Sequence, residues 1–148
     1  MQYYLDTSFI GSVLRHDANS QPAQRWLDEH AEADLWTSDW TRVEFAGAMA
    51  RRARMGDITP EMSRILFAAF LAAREHLFTM TEPPTSEDYD SAALDTLRQE
   101  TGLRPGDALQ IAIARKLAQS HGDTTLITFD IKLAKAAPDF GLPAVIPG

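Results

Sequence analysis

Apolar residues recur along the chain in two rhythms. Short runs at Tyr3-Tyr4-Leu5, Ala33 to Trp36, His76 to Thr81, Thr124 to Phe129 and Ala144-Val145-Ile146 have the length and composition of strands. Between them, apolar positions return every three or four residues, the helical period. The first helix follows Asp6 and carries Phe9, Ile10, Val13 and Leu14; a second opens at Ser20-Gln21-Pro22, with Trp26, Leu27 and His30 on one face. A third, after Thr37-Ser38-Asp39, turns a small-residue face (Val43, Ala46, Gly47, Ala50, Ala53) inward and stops at Gly56-Asp57. Thr59-Pro60-Glu61 starts a fourth with a stripe of Met62, Ile65, Leu66, Ala69, Phe70 and Ala73. That stripe packs in the core, and Phe67 and Leu71 widen it enough to serve a dimer face as well.

Thr85-Ser86-Glu87-Asp88 opens a helix ending near Gly102. The helix opened by Pro105-Gly106-Asp107 is apolar nearly all round, which makes it central. A short helix, Ile131 to Ala137, precedes the last strand. Strands alternating with helices imply an α/β domain over residues 1–148, with a mainly parallel central sheet flanked by helices.

This pattern places four acids in comparable positions. Asp6 and Asp130 each follow a strand, while Glu44 and Asp107 lie in the opening turns of the two most apolar helices. Each has a local structural explanation. Asp6 and Asp130 suit helix N-caps, Glu44 stands three residues after Thr41 as in a capping box, and Asp107 meets a helix dipole. Together they say more, because in a parallel sheet all four can converge on the edge where the strands' carboxyl ends lie and ligands bind. Such a cluster needs a shared proton, a basic neighbour or a cation to offset its repulsion.

Composition narrows the chemistry. The chain has no cysteine, which excludes disulfides, zinc-thiolate sites and cysteine nucleophiles. His16, His30, His76 and His121 have no ligand spacing, so an oxygen-only site suited to Mg²⁺ or Mn²⁺ is the metal chemistry left. Asp6 interrupts the first apolar run and no run approaches the length of a membrane span, so a soluble, cytoplasmic protein without a signal peptide is expected. The formal net charge of −7 argues against nucleic-acid binding by bulk charge and leaves that role to a local basic patch.

Four blocks then carry a resemblance: Leu5-Asp6-Thr7-Ser8; Thr37-Ser38 with Arg42-Val43-Glu44; Arg104-Pro105-Gly106-Asp107-Ala108-Leu109-Gln110-Ile111-Ala112; and Leu126-Ile127-Thr128-Phe129-Asp130. In this order and spacing they resemble the signature of PIN-domain ribonucleases, and more narrowly of the VapC toxins of type II toxin–antitoxin systems. Gly106 precedes the third acid where that family varies, and the fourth acid is the family's most variable. The resemblance implies an endoribonuclease using Mg²⁺ or Mn²⁺, with Asp6 and Asp107 as metal ligands. Glu44 and Asp130 would complete the catalytic pocket, with Ser8 and Thr128 supporting it by hydrogen bonds. It also implies a cognate VapB-like antitoxin, an RNA substrate and a homodimer.

Arg42, Arg51 and Arg104 are the candidate RNA-binding residues, lying close in sequence to the acidic blocks. Two rival readings are a non-catalytic PIN-like module that binds RNA or protein, and another Mg²⁺-dependent phosphoryl-transfer enzyme. The phosphatase pattern Asp-x-Asp-x-Thr is missing, since Ser8 occupies its second position, and no phosphate-binding Gly-rich loop is present.

Overall fold

The computed structural model describes residues 1–148. Five strands, β1 (Gln2–Leu5), β2 (Asp34–Thr37), β3 (Thr79–Met80), β4 (Thr124–Ile127) and β5 (Ala144–Val145), form one sheet in the order β3-β2-β1-β4-β5. Every pairing is parallel, with Tyr4 opposite Trp36 of β2 and Leu126 of β4. Helices α1 (Thr7–Leu14), α2 (Ser20–Glu29), α3 (Asp39–Arg54), α4 (Pro60–Leu77), α5 (Ser86–Thr96), α6 (Pro105–His121) and α7 (Ile131–Ala136) flank it, and a 3-10 turn covers Ala137–Phe140.

Alternation along β1 sorts the core into two. Tyr3 and Leu5 join Phe9, Phe45, Phe70 and Ile127, whereas Tyr4 points into the cluster built on α6 with Leu126 and Leu133. Helix α6 is buried without interruption from Ala108 to Ala114, as its apolar circumference demands. The chain winds outward from β1 through β2 to β3, then returns to place β4 on the other side of β1. That reversal makes a switch point between β1 and β4, where a crevice opens beyond the carboxyl ends of the strands.

Four local expectations are corrected. The buried face of α3 is Thr41, Phe45 and Met49, with Phe45 stacked on Phe70 at 4.8 Å, while Val43 of the small-residue stripe is 57% exposed. Aromatic packing across the α3–α4 pair outweighs the closer approach that small residues would permit. On α4, Leu66, Phe67 and Phe70 pack inward, but Met62 and Ile65 are exposed. His76 and Leu77 extend α4 rather than starting β3, for no breaker intervenes and Arg74 ties this end to Asp39 at 2.6 Å. Helix α5 stops at Thr96, well short of Gly102; the Thr96 hydroxyl bonds back to the Ala92 carbonyl at 2.7 Å.

Candidate active site

Asp6 directly follows β1 and caps α1, accepting the Phe9 N–H at 3.0 Å. Its oxygens also take hydrogen bonds from the Ser8 hydroxyl (2.8 and 3.0 Å) and the Thr128 hydroxyl (2.6 Å). Those hydroxyls in turn accept the N–H groups of Phe129 and Asp130, both at 2.9 Å, so the carboxylate is framed by the ends of both central strands. The capping role anticipated for Asp6 and its place in the crevice coexist. Burial raises its pKa to about 7, against the opposing pull of the bonds from Thr128, Phe9 and Ser8, and the charge of Glu44 adds to the rise.

Glu44 does not form the capping box suggested by Thr41, whose hydroxyl donates instead to the Ser38 carbonyl at 2.6 Å. It sits further along α3, and its Oε1 accepts hydrogen bonds from Thr7 (2.9 Å) and from the Gln110 amide. Burial lifts its pKa, Gln110 and Thr7 hold it down, and the charge of Asp107 lifts it again. Asp107 lies in the first turn of α6; burial first and Asp130 second raise its pKa, against Arg104 and Lys132. Asp130 caps α7 through the Leu133 N–H at 3.1 Å.

All four acids line one pocket of about 280 Å³ at the switch point. No three of them approach closely enough to make a ready-made metal cage. Arg104 stands between two, 3.5 Å from Asp107 and 3.8 Å from Asp130. The donor set nevertheless fits a hard divalent cation: it is all oxygen, and burial holds three carboxyls above their ordinary pKa, a cost that a cation would relieve. Mg²⁺ characteristically uses one or two carboxylates and keeps water in its remaining positions, so a complete protein cage is not required.

The expected basic residues divide. Arg104 lines the pocket, whereas Arg42 and Arg51 do not. Arg42 lies about 200° around the helix from Glu44 and pairs with Asp39 at 3.7 Å. Arg51 is seven residues beyond Glu44 on the same face, so the rise of α3 carries it about 10 Å past the acids. A second cation, Arg15, lines the pocket beside Arg104. Its Nε donates to the Gly11 carbonyl at 3.1 Å, and Asp17 lies 3.5 Å away. A Cβ at position 11 would meet its guanidinium at 3.1 Å. A glycine four residues before an arginine was the one sequence signal for this fold-back.

Two further residues shape the site. A Cβ on Gly106 would stand 2.8 Å from Glu44 Oε2, so the absence of a side chain there lets α6 approach α3. The Trp40 indole N–H reaches the Gly106 carbonyl at 3.2 Å and fastens the same contact.

Comparison with known proteins agrees with this geometry. The PIN domain model matches residues 3–138. Ribonuclease VapC35 of Mycobacterium tuberculosis is 29% identical over 147 residues, covering 98% of this chain and 96% of the relative. Among solved structures, M. tuberculosis VapC20, a Sarcin-Ricin loop cleaving toxin, superposes with a TM-score of 0.68 at 19% identity, covering 91% of this chain and 95% of that one. VapBC2 from Rickettsia felis, bound to a DNA fragment from its promoter, gives 0.66 at 17% identity over 100% of both chains.

Proposed function

The chain belongs to the PIN-domain family, and from that premise we propose that it is a divalent-metal-dependent endoribonuclease, the toxin of a type II toxin–antitoxin pair. The observation that carries the proposal is the convergence of Asp6, Glu44, Asp107 and Asp130 on one pocket at the carboxyl edge of the sheet. The names of the relatives VapC35 and VapC20 support an RNA substrate.

Asp6 and Asp107 would hold Mg²⁺ or Mn²⁺. When bound, the ion supplies acidity to water and positive charge against the scissile phosphate. Glu44 orients the attacking water and takes its proton, a role suited by a pKa raised through burial. Asp130 completes the acidic wall, while Ser8 and Thr128 fix Asp6. Arg15 and Arg104 offer guanidinium groups to the phosphates that flank the cleaved bond.

A VapB-like antitoxin would inhibit by bringing a cationic side chain to this acidic pocket. A cationic guanidinium already stands between two of the acids, that of Arg104. The exposed Met62 and Ile65 on α4, and Tyr89 and Leu94 on α5 with Leu97 just beyond its end, supply apolar surface for the antitoxin and for a second copy of the chain.

The test is RNA cleavage by the purified protein with Mg²⁺, Mn²⁺ or chelator, alongside Asp6→Asn and Asp107→Asn. Cleavage should require the metal and disappear in both variants, with their circular dichroism unchanged. Undiminished cleavage by both variants would overturn the assignment.

A further inference from the structure

Helix α6 carries one polar side chain in its continuously buried stretch, that of Gln110, which is 1% exposed. A primary amide in such a place is unfavourable unless both of its ends are paired. Here both are. Its Nε2 donates to Glu44 Oε1 and to Thr7 Oγ1 (3.2 Å), and its Oε1 accepts the hydroxyl proton of Tyr4.

The direction of this chain follows from its last member. An ionised Glu44 can only accept, so the amide must turn its NH₂ toward it and its oxygen toward Tyr4. Tyr4 must then donate to Gln110 and accept from Ser38 Oγ at 2.7 Å. Tyr4 is fully buried, so its hydroxyl is left to these two partners. Ser38 precedes α3 at the N-cap position but makes no side-chain cap bond, consistent with its hydroxyl being used on Tyr4. The relay therefore runs Ser38, Tyr4, Gln110, Glu44, linking the start of α3, β1 and α6 back to α3.

One turn earlier on α6, Gly106 borders Glu44 Oε2. Positions 106 and 110 thus address the two oxygens of one carboxylate: 110 binds Oε1, and 106 leaves room for Oε2. We propose that Gln110 is a positioning residue for Glu44, its amide oriented by Tyr4 so that Oε1 is anchored and Oε2 is presented to the pocket. The proposal deepens the catalytic reading above and rests on it for its kinetic consequence.

The experiment compares Gln110→Met, which keeps volume and loses both hydrogen-bonding ends, with Tyr4→Phe, the double variant, and Gln110→Met in a Glu44→Gln background. The readouts are kcat and KM on RNA, Mn²⁺ affinity of the metal-free protein by calorimetry, and melting temperature. Glu44 shares the pocket with Asp6 and Asp107 and would face their ion across the water it orients, so that removing its own outer partner costs about 10–100-fold in affinity or activity. Gln110→Met should lower kcat by about that factor with KM little changed, and weaken Mn²⁺ about tenfold. Tyr4→Phe should shift both in the same direction by less. The double variant should match Gln110→Met, because Tyr4 acts through the amide. In the Glu44→Gln background, Gln110→Met should change neither quantity further.

A merely structural glutamine would lower the melting temperature and leave Mn²⁺ affinity within about twofold of the wild type, and that result overturns the proposal. So does a full additional loss in the Glu44→Gln background. If the wild-type protein binds Mn²⁺ and cleaves no RNA, the catalytic reading falls while the Mn²⁺ comparison still decides the role of Gln110.

Discussion

Replacing Asp6 by Asn should stabilise the metal-free protein above neutral pH while abolishing its cleavage of RNA. Asp6 is only 4% exposed, and its pKa moves from 3.8 to about 7 on folding, with burial as the leading cause. A carboxyl whose folded pKa lies above its unfolded value binds more protons folded than unfolded. The stability it contributes is therefore present at low pH and lost as pH rises from the unfolded value through the folded one. The gap corresponds to about 4 kcal/mol of penalty once pH passes about 7. Asn removes the charge, retains the cap to Phe9 and has the same shape.

Its amide also disturbs the bonds from Ser8 and Thr128, a loss of about 1–2 kcal/mol, leaving a net gain of about 2–3 kcal/mol at about pH 8. Glu44 and Asp107, both raised by burial, act with the same sign, so the variant should flatten the pH dependence without erasing it. Urea unfolding of both proteins, in chelator and from about pH 5 to about pH 8.5, measures this directly. A wild-type stability that does not fall over that range, or an Asp6→Asn protein less stable than wild type at the alkaline end, would refute the reasoning.

Gly106→Ala should cut cleavage while changing stability by less than about 1 kcal/mol, because its Cβ would displace the anchored Glu44 carboxylate, which lies 2.8 Å from that position, and the strain offsets the small gain in helix propensity; full activity in this variant would remove the need for glycine. Arg15→Ala in the non-cleaving Asp107→Asn background should weaken RNA binding and reduce the slope of log affinity against log salt by about 0.7, the value for one phosphate contact on a single strand, as read by fluorescence anisotropy. Arg115→Ala should lower stability by about 1–2 kcal/mol in urea titration while leaving cleavage unchanged, since its guanidinium ties α6 to Ser91 (2.6 Å) and Asp95 (3.0 Å) of α5, away from the pocket. Saturating Mg²⁺ or Mn²⁺ should raise the melting temperature of the wild type, and the same scan on an Asp6→Asn/Asp107→Asn double variant should show no shift.

What the sequence determined by itself is what short-range physics controls. Strand and helix alternation followed from hydrophobic period; Thr59-Pro60 and Thr85 with Asp88 marked helix starts through caps that bond within a few residues, and Pro105 marked another through its fixed backbone angle in the first turn. The order of the four acids was legible because each sits where a strand ends or near the start of a helix, positions fixed locally. The face that α3 buries was not, since Phe45 is drawn inward by Phe70, a partner on another helix. Strand order, and with it the switch point beside Asp6 and Thr128, depends on pairings between residues more than 100 positions apart. Arg15 replaces Arg42 and Arg51 as a wall of the pocket because helix rise and rotation in three dimensions, rather than nearness in sequence to an acid, decide which cations face it. Gln110 and Gly106 stood in the third signature block without a role of their own. Only the approach of α6 to α3 shows that Gln110 binds one oxygen of Glu44 and Gly106 leaves room for the other, and that contact exists nowhere in the chain until it is folded.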